Sequence, residues 1–268
     1  MALIATPAAR PAGPGSPAAG SRLRYWLHGY RWMFAWDLAD LRLTLPVLAS
    51  ILTLQGAGFV LGIGLLYRHI PQAAAAFVVT GIPVLNLITA GLIFEPQIVA
   101  GQRTAGSYEF LQSMPVPRSM AAIAWYTVAL ITALPAVVLT LVSGVLRYHL
   151  HLDITPAIVP AILAVSFTGV LMGYAIAHAI TTPMIAQLVS TALIFVLFGF
   201  SPVMFPARQL PLWLAQVNQW LPFGSMATIM HSALGISEAS GTGRAYLVVA
   251  AWAIGSGLVA AWAVGRRR

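Results

Sequence analysis

The chain has 268 residues, 59% hydrophobic and 7% charged, with a mean hydropathy of +0.86. Soluble domains carry about 25% charged residues, so this composition excludes one and describes an integral membrane protein. The net charge of +8 comes from arginines scattered at the ends of apolar runs, which read as topology signals and not as a nucleic-acid-binding stripe.

All fourteen basic residues are arginine, so the lysine of a phosphate-cradling GxxxxGK[ST] loop is absent and the chain is no standard P-loop ATPase. With no cysteine there is no disulfide, thiolate metal site or cysteine nucleophile.

Residues 1–20 are rich in Ala, Pro and Gly and are expected to form a disordered tail. No apolar h-region follows a basic start, so the stretch does not read as a signal peptide. A transmembrane domain is expected over 21–268. It opens at residues 21–42 with Tyr25, Trp26, Tyr30, Trp32, Met33, Phe34 and Trp36 interleaved with Arg22, Arg24, Arg31, Asp37, Asp40 and Arg42. That mixture predicts a helix lying in the membrane interface; packing on a neighbouring domain is the competing reading.

Six apolar runs follow, each near the ~20 residues that cross a bilayer core. They are expected at 43–67, 73–94, 120–146, 156–180, 184–204 and 246–264. Gly58 and Gly62 form a GxxxG pair, weak evidence in a chain with 23 glycines. Gln55 and Asn86 sit inside spans, where hydrogen bonding between helices is their commoner role.

Between the second and third runs lies the polar passage 95–118, EPQIVAGQRTAGSYEFLQSMPVPR. Its centre, 104–113, predicts a short helix with Gly106 and Ser107 at its start and Glu109 in the first turn, near the positive dipole end. Pro115 stands just past its end. Tyr108, Leu111 and Gln112 share one face, which suits docking onto a soluble partner; an ordinary interfacial connector is the alternative.

With six spans, one side carries Arg10, Arg22, Arg24, Arg31, Arg42, Arg103, Arg118, Arg266, Arg267 and Arg268. The other carries Arg68, Arg147, Arg208 and Arg244. The imbalance predicts cytoplasmic termini and a cytoplasmic central passage.

A second unusual passage, 205–243, is too apolar for a free loop and is broken by Pro206, Pro211 and Pro222. Leu210, Leu214, Val217 and Leu221 recur at helical spacing, and Trp213 and Trp220 sit one helical face apart. Two short helices follow from this, either dipping into the outer leaflet and returning or lying flat on the surface.

The one pattern with metal-ligand spacing is His149-x-His151-x-Asp153, which reads as a solvated loop because no fourth ligand is evident. An ion-coupled transporter needs an ionisable group in mid-membrane, and only His178 lies within a predicted span. A purely structural membrane protein is compatible with composition alone.

The residues Gly106, Ser107, Glu109, Leu111 and Pro115 resemble the cytoplasmic G-[TS]-x-E-x-L-x-x-x-P motif of the permease subunits of ABC-2 type (type-2 ABC) exporters. Ser201, Pro202, Phe205, Pro206, Leu210, Pro211, Leu214 and Pro222, with Trp213 among them, resemble that family's signature after the fifth span. One departure is at Gly101 and Gln102, where the family usually carries charge; Arg103 alone is retained.

The resemblance implies an all-α protein with six spans, an interfacial helix, a coupling helix and short re-entrant helices. It implies two permease subunits, identical or paralogous, in the cell membrane among its lipids. Two separate ATPase subunits would bind the ATP and magnesium, and this chain would hold no cofactor. Arg103, Gly106, Ser107, Tyr108, Glu109, Leu111 and Pro115 are then the ATPase contact. The first, second and fifth spans line the substrate path, with Gln55, Phe59, Asn86, Phe195 and Phe198 as candidates. An uncharged path favours an amphipathic or lipophilic substrate, and nucleic acid is not expected as a partner.

Overall fold

The computed structural model describes residues 19–66, 70–108, 118–204, 206, 209–236 and 241–265. Among the described residues the regular structure is helical, with no strand. Helix α1 (Ala19–Asp40) is followed by α2 (Thr44–Leu66) and α3 (Gln72–Ile88). A π-helical turn, Thr89–Phe94, joins α3 to α4 (Glu95–Thr104). Then come α5 (Arg118–Tyr148), α6 (Ile158–Ala179) and α7 (Pro183–Phe200). Two short helices, α8 (Leu212–Asn218) and α9 (Pro222–Ala233), precede α10 (Thr242–Gly265).

Prolines start several of these helices. Pro183 and Pro222 occupy the first turns of α7 and α9, and Pro71 and Pro211 stand just before α3 and α8. A first-turn N–H has no intrahelical partner to lose, and proline's fixed φ suits that position.

Among the described residues six helices are long and apolar enough to cross a membrane: Thr44–Leu66, Gln72–Thr104, Met120–Tyr148, Ile158–Ala179, Pro183–Phe200 and Thr242–Ala263. They match the predicted spans closely, with one correction. The second helix does not stop at 94 but continues through the π-helical turn to Thr104, 33 residues in all. Pro96 explains the turn: it offers no N–H to the carbonyl four residues back, and the wider π spacing absorbs that break without ending the helix. The first ten residues of the supposed polar loop are therefore helix. Glu95, expected in that loop, is 2% exposed.

This long helix is the core of the bundle. In its most apolar stretch 89% is buried, against 22% for the first span and 18% for the fifth. It packs on α5, α6, α7 and α9, while α2 lies against α5 and α10 against α6. The closest approach is between the π-helical turn and α6, where Gly91 meets the Gly169–Val170 backbone and Gly173 meets the Gly91 carbonyl. A side chain at Gly91 or Gly173 would overlap that backbone, so small residues let the helices touch. The working GxxxG pair is thus Gly169 and Gly173 on α6. Gly58 touches only Leu54 of its own helix, and Gly62 meets nothing within 4 Å.

Helix α1 lies along the first third of α5. Gly29 sits against Met120, and the Tyr30 hydroxyl bonds the Thr127 hydroxyl at 2.9 Å. Of the two helices between the fifth and sixth spans, α9 turns back into the bundle. Phe223, Met226, Met230 and His231 are buried there, against α3, α6 and α10. Helix α8 stays outside and exposes Leu212, Trp213, Val217 and Trp220. A surface-lying pair is therefore ruled out for α9.

Candidate functional site

The bundle has two ends. At the α1 end lie α1, the close of α4, the start of α5 and the α6–α7 turn; at the far end lie α8, α9 and the start of α3. Each end carries residues singled out from the sequence.

Near the far end a cavity of about 670 Å³ opens between α2, α3 and α7. Phe59 and Ile63 line it from α2, Phe77 and Val78 from α3, and Phe195, Phe198 and Gly199 from α7. Met204, Pro206 and Gln209 close it from the segment after α7. Phe59 and Phe198 face each other with ring centroids 6.0 Å apart. Phe195 is 70% exposed, so the cavity is reached from the bundle surface. Among the described lining residues only Gln209 has a polar side chain and none is charged.

Phe59, Phe195 and Phe198 are thus brought together. Gln55 and Asn86 are not: neither lines the cavity. The Gln55 amide donates to the Thr89 hydroxyl at 3.3 Å, and the Asn86 amide donates to the Thr140 hydroxyl at 3.1 Å. Asn86 has no exposed surface. Both amides join helices in an apolar interior, where a polar group without a partner is costly. Ile63, Phe77, Met204 and Gln209 were missed, since aromatic and aliphatic residues abound in every span.

The segment after α7 is fixed to the bundle by its backbone. The Val203 carbonyl packs onto Gly81 of α3, where any side chain would collide with it. The Asn218 amide donates to the Phe200 carbonyl at 2.7 Å, and Pro202 lies against Gly224. Ser201, Pro202, Pro206, Leu210, Pro211 and Trp213 therefore shape the link from α7 to α8 and α9. Phe205 lies outside the described residues. Beneath the link, the Thr80 hydroxyl and His231 Nδ1 lie 2.7 Å apart, tying α3 to α9.

At the α1 end, α4 closes on a turn. Ala105 N–H donates to the Gly101 carbonyl, and Gly106 takes a φ of 76°, which glycine adopts without strain. Ser107 and Tyr108 begin a new helical turn, and the Ser107 hydroxyl donates to the Gln102 carbonyl at 3.3 Å. Glu109, Leu111 and Pro115 lie outside the described residues. Arg103 points inward, and its guanidinium donates to the carbonyls of Ala177, Ile180 and Thr181.

Acidic groups gather beneath α1. Asp40 accepts from the Gln102 amide at 3.4 Å, and Glu95 lies across from Asp37. Burial, reinforced by the Asp40 carboxylate, pushes the Asp37 carboxyl from its usual 3.8 up to about 7. A raised carboxyl pKa means that the docked helix keeps a proton the undocked helix releases. The stabilisation is therefore complete below pH 3.8 and is lost as pH rises through about 7. The melting temperature of the purified protein is expected to fall by several degrees from pH 5.5 to 8.5. Asp37→Asn, neutral throughout, flattens that slope; an equal slope in the variant contradicts the assignment.

Among the described residues no group of three His, Asp or Glu side chains is placed to hold a metal ion. His149, His151 and Asp153 lie in the α5–α6 connection, with Asp153 against Gly235. The family model described as an ABC-2 family transporter protein matches residues 68–265. No curated protein matches the chain.

Proposed function

Since this chain belongs to the ABC-2 transporter family, and is thereby a membrane component that works with an ABC ATPase, we propose that it is the permease of an exporter for neutral, lipophilic or amphipathic molecules. Two permease subunits and two ATPase subunits make the working unit in this reading. The observation that carries the substrate class is the cavity between α2, α3 and α7, with its phenylalanine walls and one polar side chain among the described lining residues. A charged or phosphate-rich molecule would lose its hydration there and gain no counter-charge from the described lining residues. A lipophilic one leaves water for an apolar wall, and Gln209 can orient one hydrogen-bonding group.

The arginine imbalance supports a cytoplasmic α1 end. The cavity then lies in the outer half of the membrane, where a substrate taken from the cell would be discharged. The predicted coupling helix, which Ser107 and Tyr108 open, meets the ATPase in this reading and receives its nucleotide-driven closure. The energy source lies outside this chain, which contains no lysine for a phosphate loop.

Orientation is directly testable because the chain has no cysteine. Gly101→Cys, at an exposed position with open space around it, is expected to resist a membrane-impermeant maleimide on intact cells. His151→Cys, exposed at the far end, is expected to label. Labelling at 101 from outside would reverse the orientation and with it the export reading.

A further inference from the structure

We infer that Arg103 is an internal strut and not a contact for a partner: it ties the close of α4 to the α6–α7 turn. Through it, motion of the predicted coupling helix, which Ser107 opens, reaches α7 and the cavity wall. The inference rests on the coupling role proposed for that helix and adds a second path out of it.

The geometry begins with a helix terminus. The last carbonyls of α6 have no intrahelical donors, and the helix dipole leaves that end negative. Arg103 Nη2 donates to the Ala177 carbonyl at 2.6 Å, and Nη1 donates to Ile180 and Thr181 at 2.7 and 3.2 Å. A planar guanidinium fork holds such acceptors in one fixed arrangement, which a lysine cannot do. Its remaining nitrogen, Nε, is buried and has no partner among the described residues. Both terminal nitrogens are thus committed within the chain.

The acceptors sit at a link with no slack. Ile180 and Thr182 are extended, and α7 begins at Pro183. Helix α4 also packs directly on α6 and α7. The close of α4, the end of α6 and the start of α7 therefore form one unit.

Tyr108 joins the emerging helix to that unit. Its ring lies 4.7 Å from Arg103 Cζ and 6.0 Å from His178, which stacks on Tyr174 at 3.9 Å. A cation over an aromatic face attracts it, and rigid rings pass displacement on without rotamer slack. Helix α7 leads from this clamp to Phe195 and Phe198 at the cavity.

Hydrogen–deuterium exchange on the assembled permease–ATPase complex tests this, with and without Mg-ATP and vanadate. In the wild type, nucleotide is expected to change exchange over both 105–116 and 178–190. Arg103→Gln is expected to keep the first response and lose the second. Its 180–186 exchange rises at least fivefold even without nucleotide. Arg103→Lys, which reaches fewer carbonyls, gives an intermediate rise and keeps the test open if the glutamine variant does not assemble. An unchanged response over 178–190 in either variant overturns the strut. A wild type that responds over 105–116 but not over 178–190 also overturns it. No wild-type response over 105–116 would instead remove the coupling role itself, and the strut's function with it.

Discussion

Gly199→Trp is expected to lower export of the lipophilic dye Nile red at least tenfold in cells making the permease and its ATPase. A Cβ at Gly199 meets nothing within 4 Å, and the position lines the cavity. The indole would therefore fill the space between Phe59, Phe198 and Met204 without displacing the helix. Substitutions into open space usually change stability by less than about 0.5 kcal/mol, so the melting temperature should hardly move. Gly257→Trp on α10, equally open, controls for a bulky residue elsewhere on the bundle. Loss of export in the Gly199 variant alone would place the path through this cavity. Equal export in both variants would remove the cavity from the path.

Glu109→Arg is expected to abolish substrate-stimulated ATP turnover in the assembled complex. Glu109 follows Ser107 and Tyr108, the first residues of a helical turn. A carboxylate in a first turn stabilises a helix by about 0.3–1 kcal/mol through the dipole, and it can also meet an arginine on the partner. In the predicted coupling helix the substitution puts a cation at the positive end and reverses the charge offered to the ATPase. Stimulated ATPase activity, with permease level measured in parallel, separates the outcomes. Normal stimulation at normal level would take Glu109 out of the coupling contact.

Much of the architecture was legible in the sequence because a bilayer imposes length and polarity on each span. The spans 43–67 and 120–146 were placed within a few residues of the helices observed. The close of the second helix was not. Glu95, Gln97, Gln102 and Arg103 lower the local hydropathy, and Pro96 reads as a break. Yet this stretch is helical, and its core partners supply the environment that its composition lacks.

The candidate site was legible only in part. Of the residues named for a substrate path, Phe59, Phe195 and Phe198 line one cavity, whereas Gln55 and Asn86 hydrogen-bond to neighbouring helices. In a membrane interior a polar side chain bonds to the nearest helix as readily as it faces a substrate, and hydropathy cannot tell the two apart. The pairing of Thr80 with His231, 151 positions apart, leaves no local signal. Arg103 carried a signal that was assigned to a partner; its acceptors are backbone carbonyls, which every residue has.

The proposed function is export of a lipophilic molecule with energy from a separate ATPase. Nile red transport into inverted membrane vesicles tests it most directly, with the permease present alone, with its ATPase, and with an ATPase that cannot hydrolyse ATP. ATP-dependent dye uptake is expected only with the active ATPase. The purified permease alone should neither bind nor turn over ATP. Dye uptake by the permease alone, driven by an ion gradient or by no added energy, would contradict the account.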